Sequence, residues 1–378
     1  MPSPARNVAR RLHLWLGLSF GLLFALLGLT GSALVFYQEI DGLLHPEVQS
    51  AAPALAPQPH MWDVALATVR AAYPHGGQWR FEVTDTPGPI AARFYPTGAA
   101  NGHMTERIMV WLSPDGRHIL RQAPWGGYAM SWIYELHMAL LAGDAGLQIV
   151  GWSGMAIVAL LLAGLAAWWP RREWGKAIAF KRRAAPIRRL RDLHKLTGLV
   201  ALPLLLMFAI TGFMLALPDT SNGLLSRVAG PVAVQPKTQS SASRERMPIS
   251  LARALAIGRH AAPEGRVVWI EVPPPGQGVI RLRVQVPGDP SRRFPHSYIH
   301  IDQYNGAVLA VFDARRHGAA TQINNWLHPL HDASIGGLAT RILAFIVGLT
   351  PALLFATGLL RWNKRRSRRA NPQRKVTS

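Results

Sequence analysis

The sequence predicts a membrane α+β protein: a four-transmembrane-helix bundle made from two parallel repeats, with two α+β modules outside the membrane. Three observations predict this class. Four long stretches are nearly free of charge, basic residues are concentrated in alternate connections, and similar segments recur along the 378-residue chain. The chain has no cysteine, which excludes disulfides and thiolate ligands.

Each of the four apolar stretches is long enough to cross a bilayer, which takes about 20 apolar residues. The first follows Arg10 and Arg11, but its uncharged run is longer than a signal-peptide core, so we expect a retained helix. The predicted spans are residues 14–38, 145–170, 195–218 and 336–361.

The positions of the basic residues predict the topology. The segments 1–13, 170–194 and 361–378 hold three, nine and eight Lys or Arg residues with only two acids between them. By the positive-inside rule, the cytoplasmic parts are residues 1–13, the loop 171–194 and the tail 362–378. Topology and lipid headgroups therefore account for the net charge of +21, and we expect no nucleic-acid partner.

Two internal offsets indicate the repeats. The odd spans correspond at an offset of 181 residues, which relates His13 to His194 and Thr30-Gly31 to Thr211-Gly212. The even spans correspond at an offset of 194 residues, which relates His137 to His331 and Gly164 to Gly358. Corresponding spans run in the same direction, so the repeats are parallel.

The two long connections, residues 39–144 and 219–335, are predicted to form the α+β modules. Each contains one helical segment, near residues 62–72 and 248–260, followed by runs of alternating polarity that are typical of strands. The predicted strands are residues 79–83, 91–95, 107–112 and 119–121 in the first module, and 267–272, 279–286, 297–301 and 308–312 in the second.

The four repeated histidines are the candidate cofactor ligands. His13 and His194 fall at the cytoplasmic ends of the odd spans, and His137 and His331 at the outer ends of the even spans. Equivalent residues on a two-fold axis face each other, so each pair could supply both axial nitrogens of one haem iron. The sequence thus predicts two haems, one in each layer.

Further residues are candidates for supporting roles. Gly17 and Gly198, four residues after their histidines, could let a flat macrocycle or another helix approach the backbone. Arg10, Arg11, Arg189 and Arg191 could pair with propionates or act as topology anchors. At the outer side His328 competes with His331 as the ligand, and His328, His45 and Trp326 are possible outer-site or substrate contacts.

Three motifs resemble the PepSY-associated transmembrane family: RRLHLWLGL near the start, IDQYNGAVLAVFD before the last span, and LHPLHDASIGG leading into GLTPALLFATGLLRW. Within that family the chain is most similar to inner-membrane ferric-siderophore reductases. The resemblance implies two b-type haems held by His13, His194, His137 and His331, and periplasmic PepSY-like modules. It also implies a multi-pass protein of the bacterial inner membrane that reduces Fe(III) in siderophores.

Two other functions stay open at this point. PepSY-like modules could bind a peptide or a protease, with the spans serving as anchors for a regulatory protein. Alternatively, the chain could be a siderophore permease whose histidines line a path. We rank the reductase first because anchors do not need four repeat-matched histidines. Its partners would be a ferric siderophore, the lipid bilayer, and a cytoplasmic or quinol electron donor.

Overall fold

The fold is known from a computed structural model, and the chain divides into two compact units. We call them the helical unit (Met1–Phe36, Glu135–Pro218 and Leu330–Ser378) and the sheet unit (Tyr37–Tyr134 and Asp219–Pro329). Arg171-Arg172 and the tail residues 371–378, which belong to the segments predicted to be cytoplasmic, lie outside the described residues. The structure describes residues 4–50, 60–84, 87–97, 107–170, 173–241, 247–274, 276 and 278–370.

The helices and strands follow the predicted order along the chain. The helices are α1 (Pro4–Val35), α2 (Tyr37–Leu44), α3 (Pro46–Ser50), α4 (Met61–Ala72), α5 (Ala129–Ala139), α6 (Gly143–Trp168), α7 (Trp174–Ile178), α8 (Pro186–Ala216), α9 (Pro218–Ala229), α10 (Leu251–Ala261), α11 (Ala319–His331) and α12 (Gly337–Ala370). The strands are β1 (Gly77–Glu82), β2 (Ile90–Pro96), β3 (Ile108–Leu112), β4 (Ile119–Pro124), β5 (Arg266–Val272), β6 (Val279–Gln285), β7 (Ser297–Asp302) and β8 (Val308–Phe312).

Four helices of the helical unit, α1, α6, α8 and α12, have the length and apolar composition needed to cross a membrane. Helices α1 and α8 each pack against both α6 and α12, which places α1 and α8 on one diagonal of a four-helix bundle. Side chains such as Leu22, Val200 and Ile346 are exposed on these helices although they are apolar. Such outward apolar side chains suit a helix surrounded by lipid.

Small residues let the four helices approach each other closely. A Cβ atom added at Gly28 in α1 would lie 2.4 Å from the backbone oxygen of Gly348 in α12. In the same way, a Cβ atom at Gly154 in α6 would lie 3.0 Å from the backbone oxygen of Ala209 in α8. Helices in lipid associate through close packing of this kind, because lipid tails provide no hydrophobic driving force.

The sheet unit contains one antiparallel sheet of eight strands, in the order β4-β3-β2-β1-β5-β6-β7-β8. The two predicted modules contribute four strands each to this one sheet, because β1 and β5 pair with each other and join both halves. The pairing runs from Trp79 opposite Val272 to Glu82 opposite Trp269. It removes two strand edges that would otherwise expose unpaired backbone groups.

Helices α4 and α10 pack on one face of this sheet and form its core. The core side chains include Trp79, Phe81, Ile270 and Leu282. The two helices are also tied together, because the Asp63 carboxylate of α4 accepts hydrogen bonds from the backbone N–H groups of Leu251 and Ala252 at 2.5 and 3.2 Å. These are unpaired donors at the first turn of α10.

We predict that Gly28→Ala lowers the thermal stability of the full-length protein. The added methyl group would collide with the backbone of α12, which cannot move unless α1 and α12 separate. We therefore expect the free energy of unfolding to fall by about 1–3 kcal/mol. Thermal unfolding in detergent, followed by circular dichroism, measures the effect. Gly223→Ala in α9 is the control, since its Cβ would meet nothing within 4 Å. A variant G28A as stable as wild type would contradict the close crossing.

Candidate site of paired histidines

His13 and His194 face each other inside the helical unit. They belong to α1 and α8, the diagonal helices of the bundle, and their ring centres lie 6.1 Å apart with planes at 81°. The Nδ1 atom of His13 lies 3.0 Å from the backbone oxygen of Leu160, and Nδ1 of His194 lies 3.0 Å from that of Leu354. Leu160 and Leu354 are separated by the 194-residue offset of the even spans.

These carbonyl contacts determine the tautomer of both rings. A carbonyl oxygen can only accept a hydrogen bond, so Nδ1 must carry the proton in each case. In the neutral imidazole, Nε2 then carries the lone pair that a metal ion needs. A hydroxyl group also lies near His194, with Thr357 Oγ1 at 3.1 Å from Nδ1, whereas the corresponding position near His13 is Ala163.

His137 and His331 form the second pair, with ring centres 6.2 Å apart and planes at 50°. Here the Nδ1 atoms lie 3.0 Å from Thr30 Oγ1 and 2.9 Å from Thr211 Oγ1. Burial lowers the pKa of His137 to about 4, so this imidazole is neutral at physiological pH.

The two threonines impose the same tautomer as the carbonyls do. Thr30 Oγ1 donates its hydrogen to the backbone oxygen of Leu26 at 2.8 Å, and Thr211 Oγ1 donates to that of Met207 at 2.8 Å. Each hydroxyl therefore has only lone pairs left to offer its histidine. It follows that His137 and His331 also hold their proton on Nδ1 and their lone pair on Nε2.

A glycine lies against each of the four rings. A Cβ atom added at Gly164 would lie 2.8 Å from Cε1 of His13, and Cβ atoms at Gly31 and Gly212 would lie 3.1 Å from Cε1 of His137 and His331. At Gly358 the distance to Cε1 of His194 would be 3.5 Å. Larger residues at the first three positions would push the rings out of place.

Strained corners follow the second pair. After His137 the chain passes through Leu140 and Leu141 with φ of 50° and 58°, and after His331 through Ala333 with φ of 56°. The left-handed region disfavours residues with a Cβ atom by about 1–2 kcal/mol each. These corners let each histidine-bearing helix end abruptly before α6 and α12 begin at Gly143 and Gly337, both with positive φ.

The geometry of both pairs fits a metal ion held between two imidazoles. Imidazole–metal bonds are about 2.0–2.1 Å long, which places the centres of two coaxial rings about 6 Å apart. Among the described residues no group of three or more His, Asp or Glu could hold a metal ion. Two histidines are the number of protein ligands that would hold a haem at each pair.

The structure distinguishes His331 from His328, the other candidate ligand near the end of α11. His331 faces His137, whereas His328 lies in the sheet unit with its ring 5.4 Å from that of Phe294. His45 Nε2 lies 3.8 Å from the Asp41 carboxylate, and Trp326 is 41% exposed in the sheet unit. These three predicted contacts are therefore not part of either histidine pair.

Only some of the arginines and glycines predicted to support the cofactor lie close to the first histidine pair. Arg10 and Arg191 interact electrostatically with Arg361, which in turn interacts with His194. Arg11 and Arg189 are exposed. Cβ atoms at Gly17 and Gly198 would make ordinary contacts with Leu160 and Leu354 at 3.7 and 3.5 Å, so the tight glycines are Gly164, Gly31 and Gly212 instead.

The fold and the paired histidines define a class: a membrane protein with four candidate spans, an internal pair of histidines in each of two layers, and an antiparallel sheet unit. The match to the family model of the PepSY-associated TM region covers residues 10–365, and the chain belongs to that family. It is also 28% identical over 263 residues to an uncharacterized protein of Pseudomonas aeruginosa. That match covers 63% of this chain and 64% of the relative, so the chain spans just under two thirds of the relative's length.

Proposed function

We propose that this chain holds two b-type haems, one at each histidine pair, and passes electrons across the bacterial inner membrane to Fe(III) in periplasmic siderophores. The observation that carries the proposal is the shared tautomer of His13, His194, His137 and His331. In all four rings an oxygen acceptor holds the Nδ1 proton, so that Nε2 carries the lone pair. Histidines that ligate metals are held by such partners.

Bound haem supplies an iron centre that accepts and releases one electron at a time. The protein's own residues orient the histidines and supply charge beside them. The oxygens of Leu160, Leu354, Thr30 and Thr211 fix the ring orientations and make the imidazoles better electron donors. Arg10, Arg191 and Arg361 supply positive charge beside the first pair, where carboxylates such as propionates would be stabilised.

The separation of the two pairs suits transfer across a membrane. His13 and Thr30, the hydroxyl partner of His137, are 17 residues apart on α1. At a rise of about 1.5 Å per residue this is about 26 Å, close to the hydrocarbon thickness of about 30 Å. Each pair would therefore lie near one membrane face, with the first pair near the cytoplasmic or quinol donor.

The proposed substrate follows from iron chemistry and from the family resemblance. Siderophores bind Fe(III) through hard oxygen ligands, which hold Fe(II) less tightly. One electron delivered to each Fe(III) would thus loosen the complex and release the metal. A regulatory protein or a permease would need no such ligand tautomers, and a preparation without haem would favour one of them.

We predict that the two histidine pairs bind separate haems. Purified wild type should show a Soret band that dithionite reduces and an added ferric siderophore reoxidises. The double variants His13→Ala/His194→Ala and His137→Ala/His331→Ala should each lose about half of the haem per protein, because each removes both histidines that would hold one haem. Pyridine haemochrome assay and absorption spectra measure this.

His328→Ala serves as the matched control, since His328 lies in the same helix as His331 but in neither pair. It should keep full haem content. The assignment fails if either double variant retains two haems or if His328→Ala loses one. Full haem without reoxidation by the siderophore would leave the haem assignment intact and refute the reductase.

We predict that Thr30→Val and Thr211→Val change only the haem at the second pair. Loss of the hydroxyl acceptor makes His137 or His331 a weaker donor, which stabilises Fe(III) less and should shift that haem's midpoint potential to more positive values. Haem affinity at the site should fall about 10–100-fold. Potentiometric titration separates the two haems.

Thr350→Val in α12 is the control, because its hydroxyl donates to the backbone oxygen of Val347 within its own helix. Equal shifts of both haems, or no shift in either threonine variant, would argue against the hydrogen bonds as the cause.

A further inference from the structure

The sheet face opposite α4 and α10 carries charged and aromatic side chains instead of a second apolar layer. Side chains alternate between the two faces of a strand, and the core residues Phe81 and Ile270 point to the helices. Their neighbours Glu82 and Trp269 therefore lie on the other face, directly opposite each other, and Trp269 in turn lies opposite Arg283. Arg93 of β2 lies on this face too, because Ala92 and Phe94 belong to the core.

Three arginines surround one aromatic ring on this face. The guanidinium carbons of Arg93, Arg283 and Arg293 lie 5.8, 6.0 and 5.3 Å from the ring centre of Phe294. The Phe294 ring stacks on Trp269 at 5.9 Å with an angle of 14° between the planes. We call Arg93, Arg283, Arg293, Phe294 and Trp269 the arginine cluster.

The arginine cluster carries more positive charge than the Glu82 carboxylate neutralises. Glu82 pairs with Arg293 through two hydrogen bonds of 2.6 and 2.8 Å, while Arg283 donates to the Tyr298 hydroxyl. The Nε atom of Arg93 is buried and has no hydrogen-bond acceptor. Burial and the charges of Arg107 and Arg293 lower the pKa of Arg93 to about 10, so an anion nearby would relieve this repulsion.

We propose that the arginine cluster binds the substrate, and that this substrate is a negatively charged ferric chelate with aromatic oxygen ligands, such as a catecholate. The inference rests on the proposed function and specifies its substrate class. Guanidinium groups form paired hydrogen bonds with carboxylate and similar anionic oxygens, and the half-buried Phe294, backed by Trp269, offers a planar surface for an aryl ring. A neutral hydroxamate chelate offers neither the charge nor the ring.

His328 lies beside the arginine cluster. Its ring lies 5.4 Å from Phe294, and it shares α11 with His331. His328 also interacts electrostatically with His296, whose Nδ1 lies 3.0 Å from Asn325 Oδ1.

Binding of gallium chelates to the purified full-length protein tests the inference. Ga(III) replaces Fe(III) in shape and charge but is not reduced, so binding is measured without electron transfer. The probes are a triply negative Ga(III) tris-catecholate and a neutral Ga(III) trihydroxamate, measured by equilibrium dialysis. We expect Arg283→Gln and Arg93→Gln each to weaken tris-catecholate binding about tenfold and to leave the trihydroxamate unaffected.

Arg259→Gln is the matched control, because it removes the same charge from the exposed surface of α10, on the opposite side of the sheet. Near-UV circular dichroism verifies folding, and Arg283, which is only half-buried, covers the case in which R93Q unfolds. Equal affinity for both probes, or unchanged affinity in R283Q, overturns the proposal. So does displacement of the tris-catecholate by phosphatidylglycerol vesicles, which would assign the arginines to lipid.

These outcomes are distinguishable from those of the haem experiments. If the tris-catecholate binds but its Fe(III) form does not reoxidise the haem, the reductase proposal fails and the binding site stands. If reoxidation occurs while R283Q binds both gallium probes like wild type, the reductase stands and only the substrate site is refuted.

Discussion

The hydrogen bond from each paired imidazole to a helix-bound oxygen is the constraint on which the site depends. An imidazole within an apolar bundle loses its contacts with water, and a lost hydrogen bond there costs about 1–3 kcal/mol. The oxygens near Nδ1 offset that cost and at the same time choose the tautomer. The same hydrogen bond at Nδ1 therefore has two effects. It offsets the cost of burying the ring, and it leaves Nε2 as the basic nitrogen.

The same arrangement explains the small residues near the rings. Gly31 follows Thr30, and Gly212 follows Thr211, so the hydrogen-bond acceptor and the missing side chain come from adjacent positions of one helix. The threonine fixes the Nδ1 side of the ring, and the glycine makes room for its Cε1 edge. The two adjacent residues position one ring together, which accounts for the presence of Thr-Gly in both odd spans.

Much of this could be predicted from the sequence, and the remainder has identifiable reasons. Hydropathy and charge predicted the four helices, and the 194-residue offset related His137 to His331, whose rings face each other in the structure. The supporting carbonyls of Leu160 and Leu354 could not be predicted, because any residue type has a carbonyl and helix packing decides which one faces the ring. The pairing of β1 with β5 joins residues almost 200 positions apart, and no local pattern indicates such a partner. Arg281 and Arg283 alternate with apolar residues in β6, a pattern that predicts the strand but not which aromatic rings its arginines contact.

The junction of β1 and β5 has a consequence for how the chain is organised. Both are the first strands of their halves, and they meet antiparallel, which is how two copies of one half would associate about a two-fold axis. One covalent chain therefore contains what two smaller subunits would otherwise have to assemble by diffusion. Within one chain the two sides can differ: Arg93 comes from one half and Arg283 from the other, and Thr357 has Ala163 at the corresponding position. A symmetric dimer would have to carry every such feature twice.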